Sequence, residues 1–282
     1  MRSVIARSGL ILPLTLFLLV FLVIPFLNII TLSFYTYSPR TIWTPELTIA
    51  NYSEMMDGTF EIVLGRTLRL GLVCTIICVL FGYPVAYFLA RAEPRVKAIG
   101  LFLLLMPLMV SAVIRTFGWL VILGRRGLVN NVLHAMGFDS LALLYHEPAV
   151  VIGLTNVFIP FMVLPLMVSI ERINPALEEA ARNLGASWFD VFRRVIIPLS
   201  SPGLISGCLL VFSAAISAFV VPALMGGARV LVLGRLIYDL LLISYQWPLA
   251  SAIATLLVIG TGILISIALF VTRRSTKQEV SG

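Results

Sequence analysis

The chain has 282 residues, of which 60% are hydrophobic and only 12% are charged, and its mean hydropathy is +1.06. Soluble domains carry about 25% charged residues, and folded proteins of this size keep much of their surface in water. These values exclude a soluble globular fold and predict an all-α integral membrane protein. The net charge of +7, which in a soluble protein would point to nucleic acid, is explained here by membrane topology.

Apolar stretches of about 20 residues are long enough to cross a hydrocarbon core about 30 Å thick. Each is predicted to be a helix, because an isolated strand would leave backbone polar groups unpaired in lipid. The first stretch is too long for a signal peptide and lacks a small-x-small cleavage site, so it is predicted to be a retained anchor. The six predicted spans are 10–34, 68–90, 98–123, 149–170, 201–222 and 250–272.

Lysine and arginine indicate the orientation, because short cytoplasmic loops carry an excess of them. With the N-terminus inside, the loop after the second span contains Arg91, Arg95 and Lys97. Both termini are therefore predicted to be cytoplasmic. Short amphipathic or re-entrant pieces are expected in the longer outer stretches. These stretches are 35–65, 124–148 and 223–249.

The three cysteines, Cys74, Cys78 and Cys208, all lie inside apolar runs. Cys74 and Cys78 share a helix face at i, i+4, which resembles half of a metal site, but no further ligand is near in sequence. We interpret them as small hydrophobic side chains that face lipid or the core. No metal site is predicted.

One charged segment interrupts the apolar pattern between the fourth and fifth predicted spans. It reads EEAARNLGASWFDVFRRVIIPLSSPG at residues 178–203. The preceding pair, Asn174 and Pro175, is typical of a helix start, because asparagine caps the first turn and proline suits the first helical position. Gly185 is predicted to end this helix, since glycine readily adopts positive φ.

The helix predicted here has two unlike faces. Its apolar stripe follows the i, i+3, i+4, i+7 spacing and consists of Leu177, Ala180, Ala181 and Leu184. A stripe of alanine and leucine favours close packing in a groove of another protein. The opposite face is predicted to carry Glu178, Glu179, Arg182 and Asn183.

A second short helix is predicted to follow. Ser187 and Asp190 have the spacing of a capping box, and Pro198 and Pro202 are expected to end this helix just before the fifth span. The two helices would form a knob on the cytoplasmic face of the membrane.

Spacing alone leaves a second interpretation open. An amphipathic helix with Trp188, Phe189 and several arginines can also lie in the plane of the lipid headgroups. Two features count against that arrangement. The stripe lacks bulky anchors, and the charged face mixes both signs instead of being basic throughout.

The same segment resembles a family signature. The run EAA at 179–181, Gly185 and the run VIIP at 195–198 are similar to the cytoplasmic E-A-A–G–I-x-L-P signature of ABC importer permeases. In the last run, Val and Ile replace the usual Ile and Leu at two positions. The resemblance implies the type I ABC importer permease fold, with six transmembrane helices, and coupling helices at 174–198.

The resemblance also implies partners. Coupling helices dock in a groove on a separate ATPase subunit, which binds ATP and Mg; no cofactor is expected in this chain. Only Lys97 and Lys277 are lysines and neither follows a glycine, so the chain has no P-loop and is predicted not to be an enzyme. The residues implied to couple to the ATPase are Leu177, Glu178, Glu179, Ala180, Ala181, Leu184, Gly185, Ala186 and Pro198.

By the same resemblance, we expect a bacterial inner-membrane assembly. It would contain a second homologous permease, two copies of the ATPase and a periplasmic solute-binding protein, with no nucleic acid. The domains implied are an N-terminal helix with its outer loop at 1–65, a permease core at 66–272 and a cytoplasmic tail at 273–282.

Three further stretches, at 115–133, 220–227 and 245–254, resemble the polyamine-type branch of the family, the spermidine/putrescine permeases and their relatives. That branch also includes permeases for opines, phosphonates and similar small solutes. Relatives often have an acidic residue shortly before the Val-Pro element, where this chain has Ser217-Ala218-Phe219. The resemblance implies a polyamine such as putrescine or spermidine; an opine, an amino-acid derivative, a phosphonate or iron stays open.

Candidate residues of a substrate path are aromatic or polar side chains within or near the predicted spans. Aromatic faces attract ammonium groups, but they also form interfacial belts, and a polar residue in a span can simply bond a neighbouring helix. Arg115 is an ionisable residue inside a span; it is either functional or extends its head to the interface. The candidates are Tyr83, Tyr87, Trp119, Asn156, Ser217, Tyr238 and Trp247.

Two other classes of protein fit the sequence poorly. An ion-coupled secondary carrier needs buried acids or histidines and two repeated halves, but His134 and His146 lie in an outer stretch and no acid lies within a span. A membrane enzyme would need a catalytic constellation, and the sequence contains neither H-E-x-x-H nor G-x-S-x-G.

Overall fold

The computed structural model describes residues 13, 15–55 and 58–280, with side chains up to residue 266. The chain is mainly helical. The helices are α1 (Thr15–Ser33), α2 (Ala50–Glu54), α3 (Thr59–Arg91), α4 (Pro94–Met109), α5 (Ala112–Leu123), α6 (Leu128–Ala135), α7 (Glu147–Glu171), α8 (Pro175–Asn183), α9 (Trp188–Leu199), α10 (Ser201–Ser217), α11 (Leu233–Leu242) and α12 (Trp247–Val280). Single π turns occur at Leu19–Val23, Phe192–Ile196 and Pro222–Gly226, and a 3₁₀ turn at Gly227–Arg229.

Within the described residues, four helices are long and apolar enough to cross a membrane: α1, α3, α7 and α12. Two bent pairs bring the number to six if each forms one broken span. α4 meets the helical stretch Ala112–Ala135 at a bend of 96°, and α9 meets α10 at a bend of 70°. The six predicted spans correspond to this upper number, although the start of the first one at residue 10 lies outside the described residues.

Two spans that were predicted as single continuous helices are interrupted or shorter in the structure, so these two predictions are wrong in that respect. The third, predicted as 98–123, breaks at Val110 and Ser111, whose ψ angles of 134° and 136° are extended. The fifth, predicted as 201–222, already ends at Ser217, and Ala218 leaves the helix with ψ of 136°. Pro222 has no N–H to bond the carbonyl four residues earlier, which disfavours a continuous helix through this point.

A β-hairpin follows α1 and adds a feature that the sequence did not predict. β1 (Tyr35–Ser38) pairs antiparallel with β2 (Ile42–Leu47), and the rings of Tyr35 and Trp43 stack at 5.3 Å. Aromatic cross-strand pairs of this kind stabilise hairpins. The buried side chain of Asn51 in α2 donates to the carbonyls of Ser33 and Tyr35, at 2.8 and 2.9 Å, and fixes the hairpin to the end of α1.

The described residues divide into two compact units: those within 1–62 together with 236–260, and those within 63–235 together with 261–280. The short helices α6 and α11 lie in the predicted outer stretches, where amphipathic pieces were expected. The domain boundaries predicted at residues 65 and 272 stay predictions.

The core of the second unit is organised around the pairing of α7 with α10. Glycines allow these helices to approach closely: a Cβ on Gly207 would lie 2.8 Å from the sulfur of Met162. Small residues at helix interfaces are the usual means of close packing in membranes. Cys74 and Cys78 on α3 are fully buried in the same core, so of the two environments predicted for them the core is correct.

Candidate functional site

The segment between α7 and α10, residues 174–200, has well-defined caps; we call it the α8–α9 segment. The side chain of Asn174 accepts a hydrogen bond from the N–H of Ala176 at 3.0 Å. At the other end Gly185 has φ of +86°, and the N–H of Ala186 bonds the carbonyl of Ala181 at 3.1 Å. This is a Schellman arrangement, and it confirms the predicted start and end of α8.

The second helix, α9, begins and ends where the sequence predicts. The hydroxyl of Ser187 accepts from the N–H of Asp190 at 3.2 Å and donates to its carboxylate at 2.5 Å. The helix ends at Leu199, between Pro198 and Pro202 as predicted, and the chain bends at Ser200 into α10. In the π turn at 192–196, the N–H of Ile197 bonds the carbonyl of Phe192, an i→i+5 bond just before Pro198.

Most of the predicted apolar stripe of α8 points away from the body of the protein. Leu184 is 89% exposed and Leu177 is 49% exposed, whereas Ala181 packs inward against a buried cluster. Trp188 and Phe189 of α9 are also exposed. We call the following exposed apolar residues the apolar set: Leu177, Ala180, Leu184, Trp188 and Phe189.

Glu178 does not lie on the exposed polar face where the pattern placed it. Its side chain is only 8% exposed, and its Oε1 accepts from Nε and Nη2 of Arg91 at 3.0 and 2.5 Å. Its Oε2 accepts from the hydroxyl of Tyr87 at 2.9 Å. The sequence predicted Glu178 on the polar face of α8, and at this position that face is buried, because the end of α3 supplies a cation and a hydroxyl there. Nη2 of Arg91 also donates to the carbonyl of Ile173 at 3.1 Å.

A second attachment joins α3 to the far end of the α8–α9 segment. The hydroxyls of Tyr83 and Ser200 form a buried hydrogen bond of 2.6 Å. Ser200 is the residue at the bend between α9 and α10, and its carbonyl accepts from Ser169 of α7 at 3.4 Å. Tyr83 and Tyr87, predicted as substrate-path candidates, are therefore both bonded to this segment.

The remaining residues predicted to couple to the ATPase divide by exposure. Glu179, Ala180, Gly185 and Pro198 are exposed, and Ala186 is half-buried. Two of the exposed members adjoin Leu184: Ala180, whose carbonyl accepts from the N–H of Leu184, and Gly185, which follows it in the chain. This arrangement offers an apolar, well-capped surface to another molecule.

Of the other substrate-path candidates, Trp119, Asn156 and Ser217 belong to the second unit. Trp119 packs against the α7–α10 core, while Ser217 is exposed and donates to the carbonyl of Ser213 at 2.7 Å. Asn156 has a buried Oδ1 without a hydrogen-bond partner among the described residues. Tyr238 and Trp247 belong to the other unit.

Arg115 lies at the start of α5, just after the break in the third span. Its Nη2 donates to the carbonyl of Val110 at 3.2 Å. Because Val110 ends α4, this bond supplies a donor at the end of a broken helix, where carbonyls otherwise lack one.

Comparison with known proteins identifies the family. Residues 79–276 match the family described as "Binding-protein-dependent transport system inner membrane component". The chain belongs to this family. The permease is thus an inner-membrane component of a bacterial transport system and a transport subunit rather than an enzyme.

Similar curated proteins cover almost the whole permease. It is 39% identical to the spermidine/putrescine transport system permease protein PotB of Haemophilus influenzae, over 92% of this chain and 90% of that protein. It is 38% identical to PotB of Escherichia coli K12, over 88% and 91% of the two chains.

Solved structures share the fold at lower sequence identity. A bacterial alginate ABC transporter, solved in complex with an alginate pentasaccharide-bound periplasmic protein, contains a chain that matches with a TM-score of 0.76 and 20% identity. The match covers 98% of this permease and 96% of that chain. The MetNI methionine ABC transporter contains a chain with a TM-score of 0.57, 21% identity and coverage of 78% and 99%. These likenesses establish the type I ABC importer permease fold.

The contacts that sequence reasoning missed are those of Arg91 and Ser200. Arg91 contributed only to the charge balance of a loop, and Ser200 has no motif of its own. Since their partners are far away along the chain, a single sequence carries no signal that would join them.

Proposed function

We propose that this chain is the transmembrane permease subunit of an ATP-driven importer for a polyamine such as putrescine or spermidine. The solute is delivered by a periplasmic binding protein. The proposal is supported by the identity of 39% and 38% to two PotB proteins along nearly their whole lengths.

The apolar set on the α8–α9 segment is the observation that carries the coupling role. Leu184 is 89% exposed at a turn that is held rigid by caps on both sides. Burying a leucine side chain is worth about 1.5–3 kcal/mol, so this surface gains stability when a groove of another protein covers it. The natural occupant is the ATPase subunit, because the chain lacks a P-loop and must obtain its energy from elsewhere.

The complete assembly then contains this permease, a second homologous permease and two ATPase subunits that bind ATP and Mg. Closure of the ATPase pair brings the two α8–α9 segments together. Since the segment is joined directly to α7 and α10, its displacement shifts the transmembrane helices between two states of the bundle.

The proposed orientation places the α8–α9 segment and both termini in the cytoplasm. The outer stretches 35–65 and 223–249 then face the binding protein. The β-hairpin at Tyr35–Leu47 gives the first of these stretches a defined surface, as a docking partner requires.

One sequence feature favours a second solute class within the same importer. Ser217, Ala218 and Phe219 stand where many polyamine-type relatives have an acid, and loss of a carboxylate weakens attraction for a cation. An opine, an amino-acid derivative, a phosphonate or iron is the alternative solute. A thermal-shift screen of the partner binding protein separates these classes: putrescine or spermidine stabilises it if the polyamine assignment is right.

The test of the whole proposal is uptake into proteoliposomes that contain both permeases and the ATPase, with the binding protein outside and ATP inside. We expect import of radiolabelled putrescine or spermidine that depends on ATP and on the binding protein. The matched control omits the ATPase subunit. Import by the permeases alone, without nucleotide, contradicts the proposal and favours an ion-coupled carrier.

A further inference from the structure

One face of α3 carries three residues that all reach the α8–α9 segment. Tyr83, Tyr87 and Arg91 are spaced at i, i+4 and i+8, so they lie above one another on the same side of the helix. Tyr87 and Arg91 bond Glu178, and Tyr83 bonds Ser200. We call this set of five residues the α3 clamp.

The clamp holds the segment at two separate points. Glu178 lies in the first turn of α8, and Ser200 lies at the 70° bend between α9 and α10. Because the two points are at opposite ends of the segment, the attachment resists rotation as well as translation of α8 and α9 relative to α3.

Apolar packing fills the space between the two points. The ring of Phe192 meets the ring of Tyr83 edge-on at 5.0 Å. Val191 and Ile196 of the segment share one buried cluster with Leu89 of α3. Interiors packed in this way transmit displacement instead of absorbing it.

The ionic part of the clamp is well satisfied. The side chains of Glu178 and Arg91 are 8% and 22% exposed, and both carboxylate oxygens of Glu178 accept hydrogen bonds. Removing one partner of a buried pair leaves an uncompensated charge, which is strongly unfavourable. The ion pair between Glu178 and Arg91 is therefore expected to stay intact when the α8–α9 segment is displaced.

The segment is connected to α3 through side-chain contacts and not through adjacent residues of the chain. α7 and α10 are joined to the segment by adjacent residues, whereas α3 precedes it by more than 80 positions. α3 also packs against α7 and α10 in the core, and the clamp adds a direct polar attachment of α3 to the segment.

We propose that α3 is a transmission helix, and that Arg91, Tyr87 and Tyr83 are positioning residues which make it follow the α8–α9 segment when the ATPase moves that segment. This inference rests on the proposed function and specifies which helix receives the motion.

The test measures solute imported per ATP hydrolysed by the complete complex in proteoliposomes. Arg91→Met and Glu178→Met both break the ion pair at the Glu178 end of the clamp, and we expect the ratio to fall at least threefold in each. The charge-reversed double variant, Arg91→Glu with Glu178→Arg, restores the pair and is expected to recover at least half of the ratio.

The matched control is Lys97→Met, which breaks the ion pair of Lys97 with Glu171 and thus a contact between α4 and α7 outside the clamp. We expect it to keep the wild-type ratio. A merely structural role for Arg91 would reduce the amount of complex or its thermal stability, and would leave the ratio per assembled complex unchanged.

If the charge variants fail to assemble, variants that remove only a tyrosine hydroxyl test the same inference. Tyr87→Phe and Tyr83→Phe each delete one hydrogen bond and keep the ring; the double variant is expected to lower the ratio about twofold, and a wild-type ratio in it overturns the inference. Wild-type ratios in both assembled single charge variants overturn it as well. Failure of the wild-type complex to import with ATP is a different result and overturns the proposed function itself.

Discussion

Glu178 and Arg91 are 87 positions apart in the chain, and the carboxylate of one accepts two hydrogen bonds from the guanidinium of the other, at 3.0 and 2.5 Å. The pair joins the end of α3 to the first turn of α8. Adjacent Glu179 is exposed. The two neighbouring acids thus have different environments: Glu178 joins α8 to α3, and Glu179 faces outward.

The ion pair leads to a prediction about stability. Arg91→Met should lower the free energy of unfolding by about 3 kcal/mol, because it leaves the buried carboxylate of Glu178 without its cation. Thermal unfolding of the purified permease in detergent measures this. Replacing both residues with methionine should cost less than Arg91→Met alone, since no charge is left buried. Lys97→Met, which breaks a more exposed pair, should cost about 1 kcal/mol or less. If Arg91→Met and Lys97→Met lowered the free energy of unfolding equally, a special role for Arg91 would be contradicted.

The two neighbouring acids should respond differently to the same change. Glu179→Lys should leave thermal stability near the wild-type value, since the side chain is exposed, but it should reduce ATP-driven import. Glu178→Lys places a second cation beside Arg91 and should lower stability strongly. Unfolding temperature and uptake are measured on the same preparations. The assignment fails if Glu179→Lys imports normally with the ATPase fully retained.

Gly185 provides a test of backbone conformation. Among the described residues, no atom lies within 4 Å of a Cβ at this position, and its φ is +86°. The cost of a side chain is therefore conformational, about 1–2 kcal/mol for an ordinary residue. Gly185→Val should distort the turn between α8 and α9 and reduce recovery of the ATPase with the purified permease. Gly185→Asn is the matched control, because asparagine tolerates positive φ at a helix end. Equal recovery with both variants would show that the turn conformation is unimportant.

Close packing of α7 against α10 predicts a strong effect at Gly207. A Cβ there meets the sulfur and backbone of Met162 at 2.8 to 3.3 Å, so Gly207→Val forces the two helices apart and should cost about 1–3 kcal/mol or more. Gly65→Val on α3 is the control, since a Cβ added at Gly65 meets nothing within 4 Å in the part of the chain that the structure describes. The yield of folded permease and its unfolding temperature should fall for the first variant and stay near wild type for the second.

Local chemistry made part of this fold predictable. The side-chain cap at Asn174, the positive φ of Gly185 and the bond between Ser187 and Asp190 depend on residues within a few positions of one another, and all three were read correctly. Long apolar stretches likewise identified the helices, because hydrocarbon thickness sets their length.

Long-range contacts were not predictable in the same way. The amphipathic pattern placed Glu178 on the polar face, but whether that face meets water depends on Arg91 and Tyr87 of a different helix. The break at Ala218 was not predicted either, although Pro222 disfavours a continuous helix there. The π turn after the break packs on α7, where Val221 and Met225 lie against Gly153. The hairpin after α1 was missed because it interrupts a helical chain with only short strands of mixed polarity.

Photo-crosslinking tests the central claim most directly. Benzoylphenylalanine in place of Leu184 is activated in membranes that contain the complete transporter, and crosslinked partners are identified by mass spectrometry. The matched control carries the same group in place of Leu47, which is 79% exposed and lies in the hairpin. We predict a crosslink to the ATPase subunit from position 184 and none from position 47. Crosslinks from position 184 to lipid alone, or to the periplasmic binding protein, would contradict the claim that this segment is the cytoplasmic attachment of the ATPase.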